Sequence, residues 1–249
     1  SLNATTFSCA NVGSNTVVLT ATDPGNLTHS CQATVTVEDK VNPIALCKNV
    51  TVQLDANGDA SITASQVNNG SSDACGIQGL SVTPYIFSCA NVGTNTVTLT
   101  VTDVNNNQAA CNATVTVQDK VKPVAVCQNI TITLNADGTK TVPPSQINNG
   151  SSDACGIASM SLFPNVFSCN NIGANTTTLP VTDVNGNTNI CTAIVTVNDF
   201  VVITDVATTP ESCTGTGDGT ITIMATTLGG VLQYSINGGA SYSFSNVFT

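Results

Sequence analysis

The chain has 249 residues, a formal net charge of −10, five lysines, no arginine, one histidine and no tryptophan. Nucleic-acid binding needs clustered Lys and Arg to displace counterions from phosphates, and attachment to anionic lipid needs the same charges, so both are set aside. Charged residues are 8% of the chain against about 25% in ordinary soluble domains, so Thr, Asn and Ser must cover the exposed faces.

No apolar run approaches the roughly 20 residues of a membrane helix, and no signal peptide heads the sequence. Ser1 begins in mid-pattern, and the expectation is a piece of a longer protein whose targeting signals lie elsewhere. Eleven cysteines beside one histidine, with no CxxC pair, argue against zinc and for disulfides, hence for an extracellular setting.

Along the chain the first regular feature is a period of 80. Cys9, Cys89 and Cys169 sit in "FSCANVG", "FSCANVG" and "FSCNNIG"; Cys31, Cys111 and Cys191 recur at the same interval, as do Cys47 with Cys127 and Cys75 with Cys155. Residues 1–40 therefore read as the C-terminal half of a repeat, 41–120 and 121–200 as complete repeats, and 201–249 as the start of a different module.

Within a repeat, Pro43 and Pro123 stiffen short joins. "NVTVQL" and the segment 59–63 then form a hairpin around "DANGD", whose Asn57-Gly58 favours a tight turn. One short helical turn is expected near "ASQVNN". The identical decapeptides "NNGSSDACGI" at 68–77 and 148–157 follow, then strands in "GIQGLSV" and "YIFSC". In "NTVTLTVTD" Val97, Leu99 and Val101 alternate with threonines, and in "CNATVTVQD" Cys111, Ala113, Val115 and Val117 do the same, with "VNNNQ" as the turn between them. Strict alternation means one buried and one wet face per strand. The fold class is all-β: tandem immunoglobulin-like antiparallel β-sandwich repeats of about 80 residues, disulfide-stapled, in a rod-like array.

The phase of Cys111 and of Cys89 with Phe87 points both cysteines to the core. The favoured pairing is Cys47 with Cys75 and Cys89 with Cys111, repeated as Cys127 with Cys155 and Cys169 with Cys191. The first half-repeat, holding Cys9 and Cys31, fits it. Four cysteines allow three connectivities, and free buried thiols are the alternative. Cys213 is expected to find its partner downstream.

Catalysis has little to work with. His29 has no counterpart at Ala109 or Asn189, and no GxSxG, HExxH or phosphate-binding glycine pattern occurs. Three aspartates recur: Asp23/Asp103/Asp183, Asp39/Asp119/Asp199 and Asp73/Asp153. One reading is turn chemistry, with each carboxylate accepting backbone N–H groups nearby. The other is Ca²⁺, which takes six to eight oxygens, held by Asp73 approaching Asp119 near the next join, and by Asp153 with Asp199. Lys40 and Lys120 follow two of these aspartates and offer a competing neutralisation. Asn49, Asn112 and Asn129 lie in Asn-x-Ser/Thr triplets that composition alone explains.

Aligned, "PVAVCQNITITLNADG", "NNGSSDACGI", "FSCANVGTNTVTLTVTDVNNN" and "CNATVTVQD" together resemble the hyalin-type (HYR-like) repeats of very large bacterial surface proteins, most of all those of the SprB-type gliding-motility adhesins of Bacteroidetes. The tail, "ESCTGTGDGTITIMATTLGGVLQYSINGGASYSFSNVFT", is similar to the short SprB repeat module. The resemblance implies a non-catalytic segment of a secreted adhesin on the bacterial cell surface. Such an adhesin is exported by the type IX secretion machinery, carried by the gliding machinery, and grips polysaccharide or a solid surface. Carbohydrate-binding modules, a spacer within a secreted enzyme, and self-association favoured by the uncharged Thr-rich surface are the alternatives.

Overall fold

Alternation of period two decides the architecture. In β7 (Gly93–Asp103) the side chains of Val97, Leu99 and Val101 are fully buried, and in β8 (Gln108–Gln118) Ala113, Val115 and Val117 join them. The intervening threonines lie wholly or partly exposed. The two strands pair antiparallel from Gly93↔Val117 to Thr102↔Gln108. The computed structural model describes residues 1–215, 217–227 and 231–249, in two units, Ser1–Val121 and Lys122–Thr249.

The first unit opens with a hairpin of β1 (Gly13–Thr22) and β2 (Thr28–Val37). Then come β3 (Val50–Gln53), β4 (Asp59–Ser61), the single turn α1 (Ala64–Val67), β5 (Ile77–Thr83), β6 (Ile86–Ser88), β7 and β8. They form a four-stranded sheet of order β3-β8-β7-β5 and a two-stranded sheet of β4 with β6. Phe87 on β6, 1% exposed, fills the space between the sheets with Leu54, Ile62, Val67 and Val82. Helix α1 is set by a capping box in which Thr63 N donates to Gln66 Oε1 at 2.7 Å.

In the second unit the same succession returns 80 residues on. It runs β9 (Ile130–Thr133), β10 (Thr139–Thr141), α2 (Pro144–Ile147), β11 (Ile157–Met160), β12 (Val166–Ser168), β13 (Gly173–Asp183) and β14 (Thr188–Asn198), with sheet orders β11-β13-β14-β9 and β10-β12. Phe167, Leu179, Val181, Val195 and Val197 are the centre of its core. Thr177 replaces Val97 at a fully buried position, and its hydroxyl donates to Pro164 O at 2.8 Å, so no buried polar group is left unmade there. From Val201 the pattern changes to a three-stranded antiparallel sheet of β15 (Val201–Thr209), β16 (Thr220–Thr227) and β17 (Val247–Phe248); within this expected module Thr216 and residues 228–230 lie outside the described residues.

Two expectations are corrected. The sheets are not purely antiparallel, because β3 runs parallel to β8 in the register Val50↔Val115 to Gln53↔Gln118. The second unit repeats this with β9 along β14. Asn49 Oδ1 extends the pairing by accepting Thr114 N at 2.9 Å, and Asn129 Oδ1 accepts Ile194 N at 2.7 Å. As a consequence β3 and β4 form no hairpin. The "DANGD" turn is present, with Asp55 Oδ1 accepting Asn57 N at 2.8 Å and Asp59 N at 3.0 Å and Gly58 at φ +82°, but it carries the chain from one sheet to the other. Leu54, 4% exposed, is the anchor of that crossing.

The edge strands are interrupted. The β5–β7 register shifts between Ile77 and Gly79, and the β11–β13 register between Ile157 and Ser159, each a bulge at the outer strand of its sheet. The opposite edges, β3 and β9, are four residues long.

Because Phe87 fills the inter-sheet space, Phe87→Ala is expected to cost about 3–5 kcal/mol in denaturant unfolding, whereas Thr98→Ala on the exposed face of β7 should stay within about 0.5 kcal/mol. Equal midpoints for the two variants would contradict the core assignment.

Candidate functional site

The parallel β3–β8 pair sorts the loops of a repeat between two poles. Since β3 runs parallel to β8 from Val50↔Val115, the incoming segment 38–49, with Cys47 bonded to Cys111, runs back toward the pole where β7 turns into β8. Ile77 pairs with Asp103, so the decapeptide turn before β5 belongs to the same pole. Asp119, past the far end of the 11-residue β8, belongs to the other pole, about 35 Å along the strand. The expected approach of Asp73 to Asp119 is therefore corrected: Asp73 faces Asp39.

A carboxylate oxygen of Asp39, one of Asp73 and the sulfur of Cys75 lie within 4.8 Å of one another. Asp73 Oδ1 accepts the backbone N–H of Cys75 at 2.7 Å and of Gly76 at 3.2 Å, the turn chemistry read from the sequence. Asp39 Oδ1 accepts Val41 N at 3.0 Å, and Asn107 Nδ2 donates to Asp39 O at 3.1 Å. Asp39 Oδ2 is buried with no hydrogen-bond partner. Lys40 does not neutralise it; its ammonium pairs instead with Glu38, on the surface, where an ion pair contributes little. That pair raises the Lys40 pKa and lowers that of Glu38.

The sulfur of Cys75 is no thiolate. It is bonded to Cys9, with the two Cα atoms 5.1 Å apart, which ties the first hairpin to the decapeptide turn across the join. Cys47 is bonded to Cys111 (Cα–Cα 5.9 Å) and Cys127 to Cys191 (5.7 Å). Cys89 and Cys155 are disulfide-bonded as well.

The expected pairing is thus overturned throughout. Cys47 does not join Cys75, because parallel pairing of β3 with β8 brings it beside Cys111. Cys89 cannot reach Cys111: Cys111 lies opposite Leu99 in mid-hairpin, whereas Cys89 precedes Gly93, which pairs with Val117 about 20 Å further along β8. Cys127 with Cys155 fails as Cys47 with Cys75 does, and Cys169 with Cys191 as Cys89 with Cys111 does. Cys31 lies opposite Leu19 on β2, away from Cys9, and is an exposed free thiol; Cys169 is a half-buried free thiol. The signal overlooked was the join itself: the cysteine just before each first strand, Cys47 or Cys127, meets the long hairpin of its own repeat, and Cys75 meets Cys9 of the preceding half-repeat.

The other recurring aspartates also accept backbone N–H groups close by. Asp119, 6% exposed, accepts Val121 N at 3.0 Å, and Asp153 accepts Cys155 N at 2.8 Å. Asp199 accepts Phe200 N at 2.7 Å through Oδ1 and the Thr227 hydroxyl through Oδ2, a tie between the repeat and β16. His29 is exposed on β2, opposite Ala21.

At the pole of the join, Asp103 is fully buried, and its two oxygens accept Asn105 N, Asn107 N and Asn107 Nδ2, each at 2.8 Å. Burial works to raise the Asp103 pKa; the Asn107 side chain and the backbone N–H groups outweigh it and hold the carboxyl below its ordinary value. A depressed folded-state pKa contributes stability that is complete above the unfolded value, about 3.9, and disappears as pH falls through the folded one. Thermal melting of the chain and of Asp103→Asn is therefore expected to differ near neutral pH and to converge as pH falls below about 4; a gap independent of pH would contradict the assignment.

No protein-family model matches the chain, and no curated protein matches it. Among solved structures it is similar to a protocadherin gammaB7 EC3–6 cis-dimer at 17% identity, covering 79% of this chain and 60% of that one, with a TM-score of 0.33. Protocadherin gamma B2 extracellular cadherin domains 1–5 give 13% identity, 88% and 53% coverage and a TM-score of 0.33. Human mucin-like protocadherin EC1–2 gives 14%, 63% and 98%, also at 0.33. The chain spans about three fifths of the first of these structures and about half of the second.

Proposed function

We propose that the chain is a non-catalytic stalk segment of a large secreted cell-surface adhesin, built of a half-repeat (1–40), two HYR-like repeats (41–120 and 121–200) and the start of a SprB-like module (201–249). The observation that carries this reading is the Cys9–Cys75 bridge, which closes one hairpin covalently onto the following repeat. A bridge across a join holds the half-repeat and the repeat that follows it together. Bridges of this kind persist in oxidising surroundings, which supports an extracellular location. The resemblance to gliding-motility adhesins extends the reading to export by the type IX machinery, coupling to the gliding machinery, and grip on polysaccharide or a solid surface by the complete protein. Self-association through the uncharged threonine faces fits the same role.

Antibody raised against the 249-residue chain is expected to label intact cells, and the purified chain to retain no sugar on a glycan array. Labelling only after lysis would overturn the surface location, and saturable binding of a glycan would replace the stalk with a carbohydrate-binding module.

A second component is calcium at the join. The partnerless buried Oδ2 of Asp39, facing Asp73, favours it, since two carboxylates that close repel unless a cation or proton lies between them. Asp119 and Asp153 are the period mates of this pair, while Asp199, another mate of Asp39, is engaged by Thr227. Calcium at about 100 times its Kd is expected to add about 2.7 kcal/mol to the stability of the chain. Asp39→Asn should abolish most of the gain; an unchanged melting temperature on adding calcium to the unsubstituted chain would remove calcium from the proposal.

A further inference from the structure

We propose that the crossed disulfides make this array a length-limited tether, one whose extension under load is capped by covalent bonds even after its sandwiches unfold. The proposal deepens the stalk reading, but it rests on which cysteines are joined and not on what the complete protein grips.

In sequence order the cysteines of these two bonds are Cys9, Cys47, Cys75 and Cys111, and the bonds run Cys9 to Cys75 and Cys47 to Cys111. The two loops, with sequence separations of 66 and 64 residues, therefore overlap instead of lying side by side. The overlap has three mechanical consequences. The join 38–46 lies inside the Cys9–Cys75 loop, so a pull on the two sides of the join is shared by the sulfur bridge and cannot draw the join out alone. When the sheets give way, the shortest covalent route from Cys9 to Cys111 crosses one bridge, runs backwards along 75–47, and crosses the second bridge. Most of residues 9–111 then carry no load. Third, the side-by-side loops of the expected pairing, Cys9 with Cys31, Cys47 with Cys75 and Cys89 with Cys111, would have left the join 38–46 outside every loop and free to extend.

The second unit adds Cys127 to Cys191, again with a separation of 64 residues. With these three bridges the shortest route from Ser1 to Thr249 uses fewer than half of the 249 residues. An unbridged chain of this length stretches to about 870 Å at about 3.5 Å per residue. The bridged chain is held below half of that.

The load falls on bonds whose surroundings are unequal. Cys9 is exposed, whereas Cys75, Cys47 and Cys111 are half-buried. The bridge across the join is therefore the first that a reductant reaches, and its loss lengthens the tether while leaving the Cys47–Cys111 bond within the repeat in place.

The test is force extension of the complete 249-residue chain held at its two termini, first in oxidising buffer and then after full reduction with a dithiol. The expected result is a fully unfolded contour length in oxidising buffer below half of the reduced one. The Cys9→Ser/Cys75→Ser variant, in oxidising buffer, should give an intermediate length; because the readout is the unfolded contour, it does not depend on the variant's folded stability. Equal oxidised and reduced lengths overturn the proposal, as does a variant no longer than the unsubstituted chain. Surface labelling reads the stalk assignment separately, so the failure of one leaves the other standing.

Discussion

The pairing of β3 with β8 in parallel is the constraint from which the rest of the molecule follows. An antiparallel partner would have brought the chain in at the pole where β8 ends. Parallel pairing forces entry at one pole and exit at the other. Entry then falls beside the β7–β8 turn and the decapeptide turn, which is why Asp39, Asp73, Asn107 and the Cys9–Cys75 bridge gather there. The same pairing lays Cys47 against Cys111 and gives Asn49 a backbone amide of β8 to accept from. Four residues of ladder are few, and the bridge and the asparagine fasten both the start of β3 and its neighbour.

Much of the fold was legible because its cause is local. Val97, Leu99 and Val101 announce a half-buried strand by alternation alone, and the 80-residue period assigns the same role to Leu179 and Val181. The turns were legible too, since Asp55, Asp73 and Asp103 accept N–H groups within four residues of themselves. Connectivity was not legible. Which hairpin a cysteine meets depends on strand order across a sheet, and nothing in the alternation of "NVTVQL" distinguishes a parallel neighbour 65 residues away from an antiparallel one six residues away. The site fails to be legible for the same reason. Asp73 and Asp39 were each recognisable as recurring aspartates, but their meeting is a property of the poles, which the misplaced β3 had reversed.

Few charges, and well-employed ones, distinguish the interior of these repeats. Asp103 and Asp183 are buried carboxylates spent on closing a hairpin turn, each accepting two backbone amides, in a chain with only five cations to offer as partners. Backbone amides replace the missing lysines and arginines. A surface dominated by Thr and Asn then needs no counter-charge, and ionic strength has little hold on its packing.

Tandem copies so alike in sequence carry a hazard of their own, because a strand of one repeat can complete the sheet of its neighbour during synthesis. The interrupted registers at Ile77/Gly79 and Ile157/Ser159, and the brief edges at β3 and β9, leave each four-stranded sheet without a long straight border to offer. A bulge that looks like a flaw in one ladder acts, over many copies, as insulation: it keeps each repeat folding with itself, so that the array can lengthen by duplication without lengthening its risk of tangling.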